Sequence, residues 1–340
     1  MTTKAVKRME AYKSHASVAK APQKLLLPIS FGPSSTSLLA ILDNHLQGQL
    51  DRMGRTIYTL LLVHVDLEVD DAQQTKVSAQ LEKFKDRFPN HAHLSANITQ
   101  ALSLDIDWMS LGMEDPTGGA SAGLHKTRLD ALFNIMKSAT SKADVSSTLL
   151  TRLLVDIAKK NDCESILFGD STTRLAEKTL IETAKGRGFS LPWQVSDGMS
   201  PYGVNFLYPL RELLKKELLD FSSLISPPLT DLIIYQAPAT EISASAKSTT
   251  IDDLMAQYFE TVEEKFPAIV ANVVRTSSKL KSPVIAEASA CCGLCGLPVA
   301  EGTDGIYGWG GDQSSDAQVT KEEHLNGIIL CYGCSRSING

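Results

Sequence analysis

No stretch of this 340-residue sequence approaches the roughly 18 consecutive apolar residues of a membrane-spanning helix, and mean hydropathy is -0.05. The opening Met1-Thr2-Thr3-Lys4 lacks the apolar core of a secretory signal, so a cytoplasmic address is expected and no membrane partner. Positive charge is not in excess either. The formal net charge of -6 argues against a protein that holds nucleic acid by bulk charge, because such binding relies on Lys and Arg neutralising phosphates. No period of 20–50 residues marks a solenoid, and cysteine is absent before Cys163. A chain with an adequate core and no export signal has little use for a disulfide framework.

What is present is an ordinary globular composition, with 43% hydrophobic residues, enough to fill a core and long enough for two domains. Charge is unevenly spread. Lys4, Lys7, Arg8, Lys13, Lys20 and Lys24 face Glu10 alone, so a basic N-terminal arm precedes an acidic body. Such an arm is either a solvated tail or a phosphate-binding extension.

The run KLLLPI from Lys24 to Ile29 fits a strand buried on both faces. It breaks at Ser30-Phe31-Gly32-Pro33-Ser34-Ser35, and Leu38, Leu39, Ile41, Leu42 and Leu46 then recur at helical spacing, with Ser34 or Ser35 available as the N-cap. Thr56 to Val65 reads as a second buried strand and Ala72 to Phe88 as a helix. Later, Ser165-Ile166-Leu167-Phe168 leads through Gly169-Asp170-Ser171-Thr172-Thr173 into a helix from Arg174 to Lys185, repeating the first unit. Alternation of this kind predicts an α/β fold, a mostly parallel sheet with its site at the strands' C-terminal ends. Four segments follow from composition: a basic arm 1–23, an α/β domain 24–235, a linker and helix 236–287, and a cysteine-rich module 288–340.

Two CxxC pairs, Cys292/Cys295 and Cys331/Cys334, offer two thiolates from each tight turn, the ligand set of a closed structural zinc site. Cys291 competes with Cys292 for the register, and an iron–sulfur or persulfide site is the catalytic alternative. Cys163 stands alone before a buried strand and reads as a small hydrophobe; His64, in a strand, and His45, on a helix, read as packing residues. The loop Ser30–Ser35 could approach an anion through its backbone at a helix N-terminus, or simply cap the helix.

That loop resembles the S-G-G-x-D-S loop of the PP-loop ATPases: Ser30, Gly32 and Ser35 match, Phe31 replaces a glycine and Ser34 an aspartate. Gly169–Glu177 resembles the G-H-N-x-D-D-x-A-E segment of tRNA-thiolating PP-loop enzymes, with Thr173 and Arg174 where those enzymes carry two acids. With Tyr208-Pro209-Leu210-Arg211-Glu212-Leu213 and the terminal Cys-Tyr-Gly-Cys, the chain is similar throughout to the second, non-adenylating subunit of the cytosolic tRNA 2-thiouridylase.

The resemblance implies a PP-loop (Rossmann-like, HUP-type) sheet with helices on both faces and a zinc-ribbon-like C-terminus. It implies a heterodimer with a catalytic PP-loop subunit, tRNA as substrate, and sulfur from a ubiquitin-like carrier. Ser30, Gly32, Ser34 and Ser35 would be a degenerate cofactor loop, with ATP binding in doubt and no catalytic residue of the chain's own. Lys4, Lys7, Arg8, Lys13, Arg174, Lys178, Lys185 and Arg187 would meet tRNA or the partner. Two other readings compete: an active ATP pyrophosphatase adenylating tRNA or a small acid, and a zinc-ribbon scaffold unrelated to tRNA.

Overall fold

The computed structural model describes residues 2–11, 22–67, 71–106, 108, 111, 122–234, 248–281, 290–299 and 329–339. Three consecutive leucines set the architecture. In β1 (Gln23–Pro28), Leu26 faces one core, while Leu25 and Leu27 face the other. Side chains alternate across a strand, so an uninterrupted apolar run demands cover on both faces. β2 (Tyr58–Asp66) repeats this, with Leu61 and Val63 on the first side and Leu60 and Leu62 on the second.

Four further strands complete the sheet: β3 (Ala92–Asn97), β4 (Ser165–Leu167), β5 (Gly198–Met199) and β6 (Asn205–Leu207). Their order is β3-β2-β1-β4-β6-β5, with every pairing parallel except that of the edge strand β5 with β6. The chain reverses its direction of winding between β1 and β4. Loops leaving those two strands therefore splay apart into the crevice where open α/β sheets place their ligands.

One face is covered by α1 (Thr2–Ala11), α2 (Pro33–Met53), α3 (Asp71–Arg87) and α8 (Lys215–Leu224). The other carries α4 (Ala122–Ile135), α5 (Ala139–Lys160), α6 (Thr172–Ala184), the single-turn α7 (Leu191–Gln194), α9 (Ile251–Lys265) and α10 (Pro267–Ser277). The expected α/β sheet with helices on both faces is thus present.

The segment set apart as a basic arm contributes structure: Ala5 and Met9 of α1 are buried in the core beside α2. Likewise Cys292, Leu294, Leu297 and Leu330, with α11 (Tyr332–Asn339), join the core on the α5 side of the sheet. Of the expected linker, residues 236–247 lie outside the described residues.

Candidate functional site: two modified loops and a four-cysteine cluster

At the end of β1 the backbone of Phe31 takes φ 59°, the left-handed region, explaining why the related pattern uses glycine at this position. Phenylalanine is held there by burial. Its ring stacks on His64 at 4.2 Å and meets Phe84 at 5.2 Å, and its carbonyl accepts a hydrogen bond from Ile234 N–H at 2.8 Å. The serines are spent on the loop itself: Ser30 Oγ lies 3.2 Å from Ser35 Oγ, and Ser35 Oγ donates to the Gly32 carbonyl at 3.2 Å. The N-cap expected of Ser34 or Ser35 falls instead to Gly32, with Pro33 opening α2 and no side chain capping it. The loop after β4 closes on this one. A Cβ at Gly169 would sit 2.9 Å from the Ser35 Cα, so glycine is required by the contact.

In that second loop Ser171 caps α6 by accepting from Arg174 N–H, and Thr172 Oγ1 donates to the Arg211 carbonyl at 2.8 Å. Thr173, where thiolating enzymes carry an acid, is buried. Its hydroxyl donates to Glu263 of α9 and accepts from Lys215 N–H at 3.0 Å, while the other Glu263 oxygen accepts from Lys216 N–H at 3.0 Å. A carboxylate at position 173 would face Glu263 and be repelled. Arg174 pairs with Glu177 at 2.8 Å; burial pushes the Glu177 carboxyl above its ordinary range despite that neighbour. Lys178 bridges to Asp170 at 3.3 Å and lies over the rings of Phe168 and Tyr208 at 5.4 and 5.9 Å.

Of the expected contacts to tRNA or a partner, Lys4 and Lys7 are exposed on α1, Arg174 is exposed and Lys178 half-buried. Arg187 is not at the surface. It is 3% exposed and paired with Asp144 and Glu182, and Lys185 is buried against Asp144 and Asp252. Contrary to expectation, neither is a surface contact, because their charges are consumed inside the protein. Arg8 is turned inward to Asp197 and Glu212, the latter at 2.8 Å, and pins α1 to the body. Lys13 lies outside the described residues. His64 and Cys163 are buried, as expected of packing residues, and burial raises the Cys163 thiol.

The four cysteines converge. Sulfurs of Cys292, Cys295, Cys331 and Cys334 all lie within 4.8 Å of one another, with Cys295 and Cys331 3.9 Å apart, and all four residues are buried. Cys291 is exposed, so the register begins at Cys292. A tetrahedral ion with metal–sulfur bonds of about 2.3 Å sets its sulfurs about 3.8 Å apart, so the cluster fits one metal ion. Hydrogen bonds from Cys295, then Cys331 and Cys334, hold the Cys292 thiol far below its ordinary value; the same sharing raises Cys295 and Cys334. Each CxxC turn is built from backbone bonds: Cys292 N–H to Leu297 O at 2.8 Å and Gly296 N–H to Cys292 O at 2.7 Å in the first, Ser335 N–H to Cys331 O at 2.9 Å in the second.

Comparison with known proteins bears on this geometry. The family described as Cytoplasmic tRNA 2-thiolation protein 2 matches residues 250–336, which contain α9, α10 and all four clustered cysteines. A solved structure of the U34-tRNA thiolase NcsA from Methanococcus maripaludis with its [4Fe-4S] cluster superposes with TM-score 0.50 at 14% identity, covering 88% of this chain and 85% of that one. At that identity the likeness establishes the fold, a PP-loop-type sheet. Cytoplasmic tRNA 2-thiolation protein 2 of Sclerotinia sclerotiorum is 62% identical over 273 residues, 80% of this chain and 72% of the relative. That of Phaeosphaeria nodorum is 48% identical over 339 residues, 99% of this chain and 87% of the relative. With such identity over nearly its whole length, the chain belongs to the cytoplasmic tRNA 2-thiolation protein 2 family.

Proposed function

We propose that this chain is a noncatalytic subunit in the cytoplasmic 2-thiolation of the tRNA wobble uridine, supporting a catalytic PP-loop partner and helping to hold tRNA. Beyond family membership, one observation carries the reading: both loops at the crevice are closed onto the protein itself. Phe31 and the serine pair occupy the first, and the lock of Thr173 on Glu263 occupies the second. A nucleotide would find the Ser30 and Ser35 hydroxyls bonded to each other and no metal-binding acid pair. The sulfur, in this reading, comes from a ubiquitin-like carrier that acts through the complex.

Lys4, Lys7, Lys13, Arg174 and Lys178 supply the chain's share of phosphate contacts. Replacing Lys4 and Lys7 by Ala is expected to weaken tRNA binding by the complex and to flatten its log–log salt slope by about 0.9 for each phosphate no longer neutralised. Equal slopes would remove α1 from the interface.

Cys292, Cys295, Cys331 and Cys334 would hold a structural zinc ion, which when bound links two chain segments without an open coordination position. A cubane iron–sulfur cluster needs room for four irons and four sulfides between its cysteines; sulfurs this close enclose a single ion.

The competing reading, an ATP pyrophosphatase, is separated by nucleotide titration. The purified chain should show no saturable ATP binding and release no pyrophosphate with tRNA, while forming a complex with the catalytic subunit. Pyrophosphate release by the chain alone would overturn the proposal.

A further inference from the structure

The two CxxC turns are joined to each other by a single backbone bond among the described residues, Gly293 N–H to the Ile329 carbonyl at 2.8 Å. Each is also tied to the α/β body, and both to the same helix.

On the first turn, Arg152 of α5 donates through Nη1 to the Leu294 carbonyl at 3.0 Å and through Nη2 to the Asp105 carbonyl at 2.9 Å. The Tyr202 hydroxyl donates to the Cys295 carbonyl at 2.6 Å. The fit is close: a Cβ at Gly296, whose φ is +72°, would lie 2.9 Å from Arg152 Nη1 and 3.1 Å from the Tyr202 ring.

The second turn rests on Asp144, also of α5. Ser337 Oγ of α11 donates to Asp144 Oδ2 at 2.6 Å, and Asp144 is held in turn by Arg187 and Lys185. Here too contact is tight: a Cβ at Gly333 would strike Arg187 Cγ at 2.6 Å, and one at Gly186 would strike the Tyr332 ring at 2.2 Å. Asp144 and Arg152 are eight residues apart, about 12 Å along the helix axis.

We infer that α5 is the template of the metal site: Arg152 with Tyr202, and Asp144 with Ser337, are positioning residues that set the four sulfurs at coordination distance. Among the described residues, the C-terminal turns are therefore held through α5 more than through each other. Outer groups that fix ligand orientation typically contribute 10–100-fold to metal affinity, because they spare the ion the entropy of gathering its ligands. This inference rests on the metal reading above.

The test is a cobalt(II) titration of the full chain, read by thiolate-to-cobalt charge-transfer absorption, with Tyr202→Phe and Ser337→Ala. Each variant removes one hydroxyl and leaves the packing volume almost unchanged. Cobalt affinity is expected to fall 10–100-fold in each, while each metal-free variant still unfolds as a cooperative folded protein and Ser337→Thr retains affinity. Variants that bind cobalt within twofold of wild type would overturn the inference, as would a lowered melting temperature with unchanged affinity. A wild-type chain with no tetrathiolate cobalt spectrum would overturn the metal reading itself, and the inference with it.

Discussion

Phe31 shows what one residue can do to an inherited loop. Its backbone keeps the left-handed turn that glycine adopts freely, at a cost of about 1–2 kcal/mol for a residue with a side chain. The ring offsets this by burial against His64 and Phe84. Phe31→Gly would relieve the backbone and remove the ring, a truncation that in a core costs about 3–5 kcal/mol. A net destabilisation of about 1–4 kcal/mol is expected in denaturant unfolding, without gain of ATP binding; a more stable variant would contradict the packing argument. His64 supplies a pH test. Burial lowers its pKa below 6.5, outweighing the hydrogen bond to the Ile29 carbonyl and the charge of Asp66, both of which raise it. The unfolded chain then takes up the proton more readily than the folded one. Stability should decline as pH falls below about 6.5, and His64→Gln should flatten that decline. A variant with the wild-type slope would show that the burden lies elsewhere. The loop residues themselves are legible by resemblance, but the direction of Phe31 is not: a lone aromatic among Ser, Gly and Pro carries no periodicity to say whether it points into the core or across the loop.

Among elements, the pairing of α6 with α9 explains how an acid position became a threonine. Thr173 and Glu263 are ninety residues apart in sequence, and no local pattern connects them. Thr173→Val keeps the shape and strips Glu263 of a buried donor, which should cost about 1–3 kcal/mol. Thr173→Asp, restoring the acid of the thiolating enzymes, should cost more, since two carboxylates would then face each other. An aspartate variant as stable as wild type would show that the lock is not what excludes the acid. Long periodic elements are readable: α3 and α6 fall within two residues of expectation. The strands β3, β5 and β6 are not. β3 is an edge strand with one buried residue, and the other two span only two and three residues, so their existence depends on the sheet they join. The basic arm differs in character from its composition because its charges mask an apolar contact, Ala5 and Met9, that docks α1 together with the Arg8 ion pairs. Arg187 and Lys185 read as surface cations for a related reason. Charge marks exposure only until acids such as Asp144 and Glu182 are brought beside it, and their spacing in sequence gives no hint of that.

For the molecule as a whole, the four-cysteine cluster joins the last described helix to the sheet, so metal should stabilise the entire fold. Metal analysis is expected to find about one zinc per chain, and a strong chelator should lower the melting temperature of the full protein. A metal-free chain of equal stability would rule that out. The parallel α/β architecture and the family follow from the sequence; the strand order, its switch point and the closure of both loops required the tertiary contacts. Together they describe a PP-loop framework in which both crevice loops bond to the protein itself. The most direct measurement is nucleoside mass spectrometry of bulk tRNA from cells lacking this protein, with and without a rescue copy. The account predicts loss of wobble 2-thiouridine, restored both by the wild-type chain and by a copy carrying Ser30→Ala and Ser35→Ala in the first loop. Normal 2-thiouridine in the deletion, or a rescue that fails when those loop hydroxyls are removed from a folded protein, would contradict a noncatalytic role in thiolation.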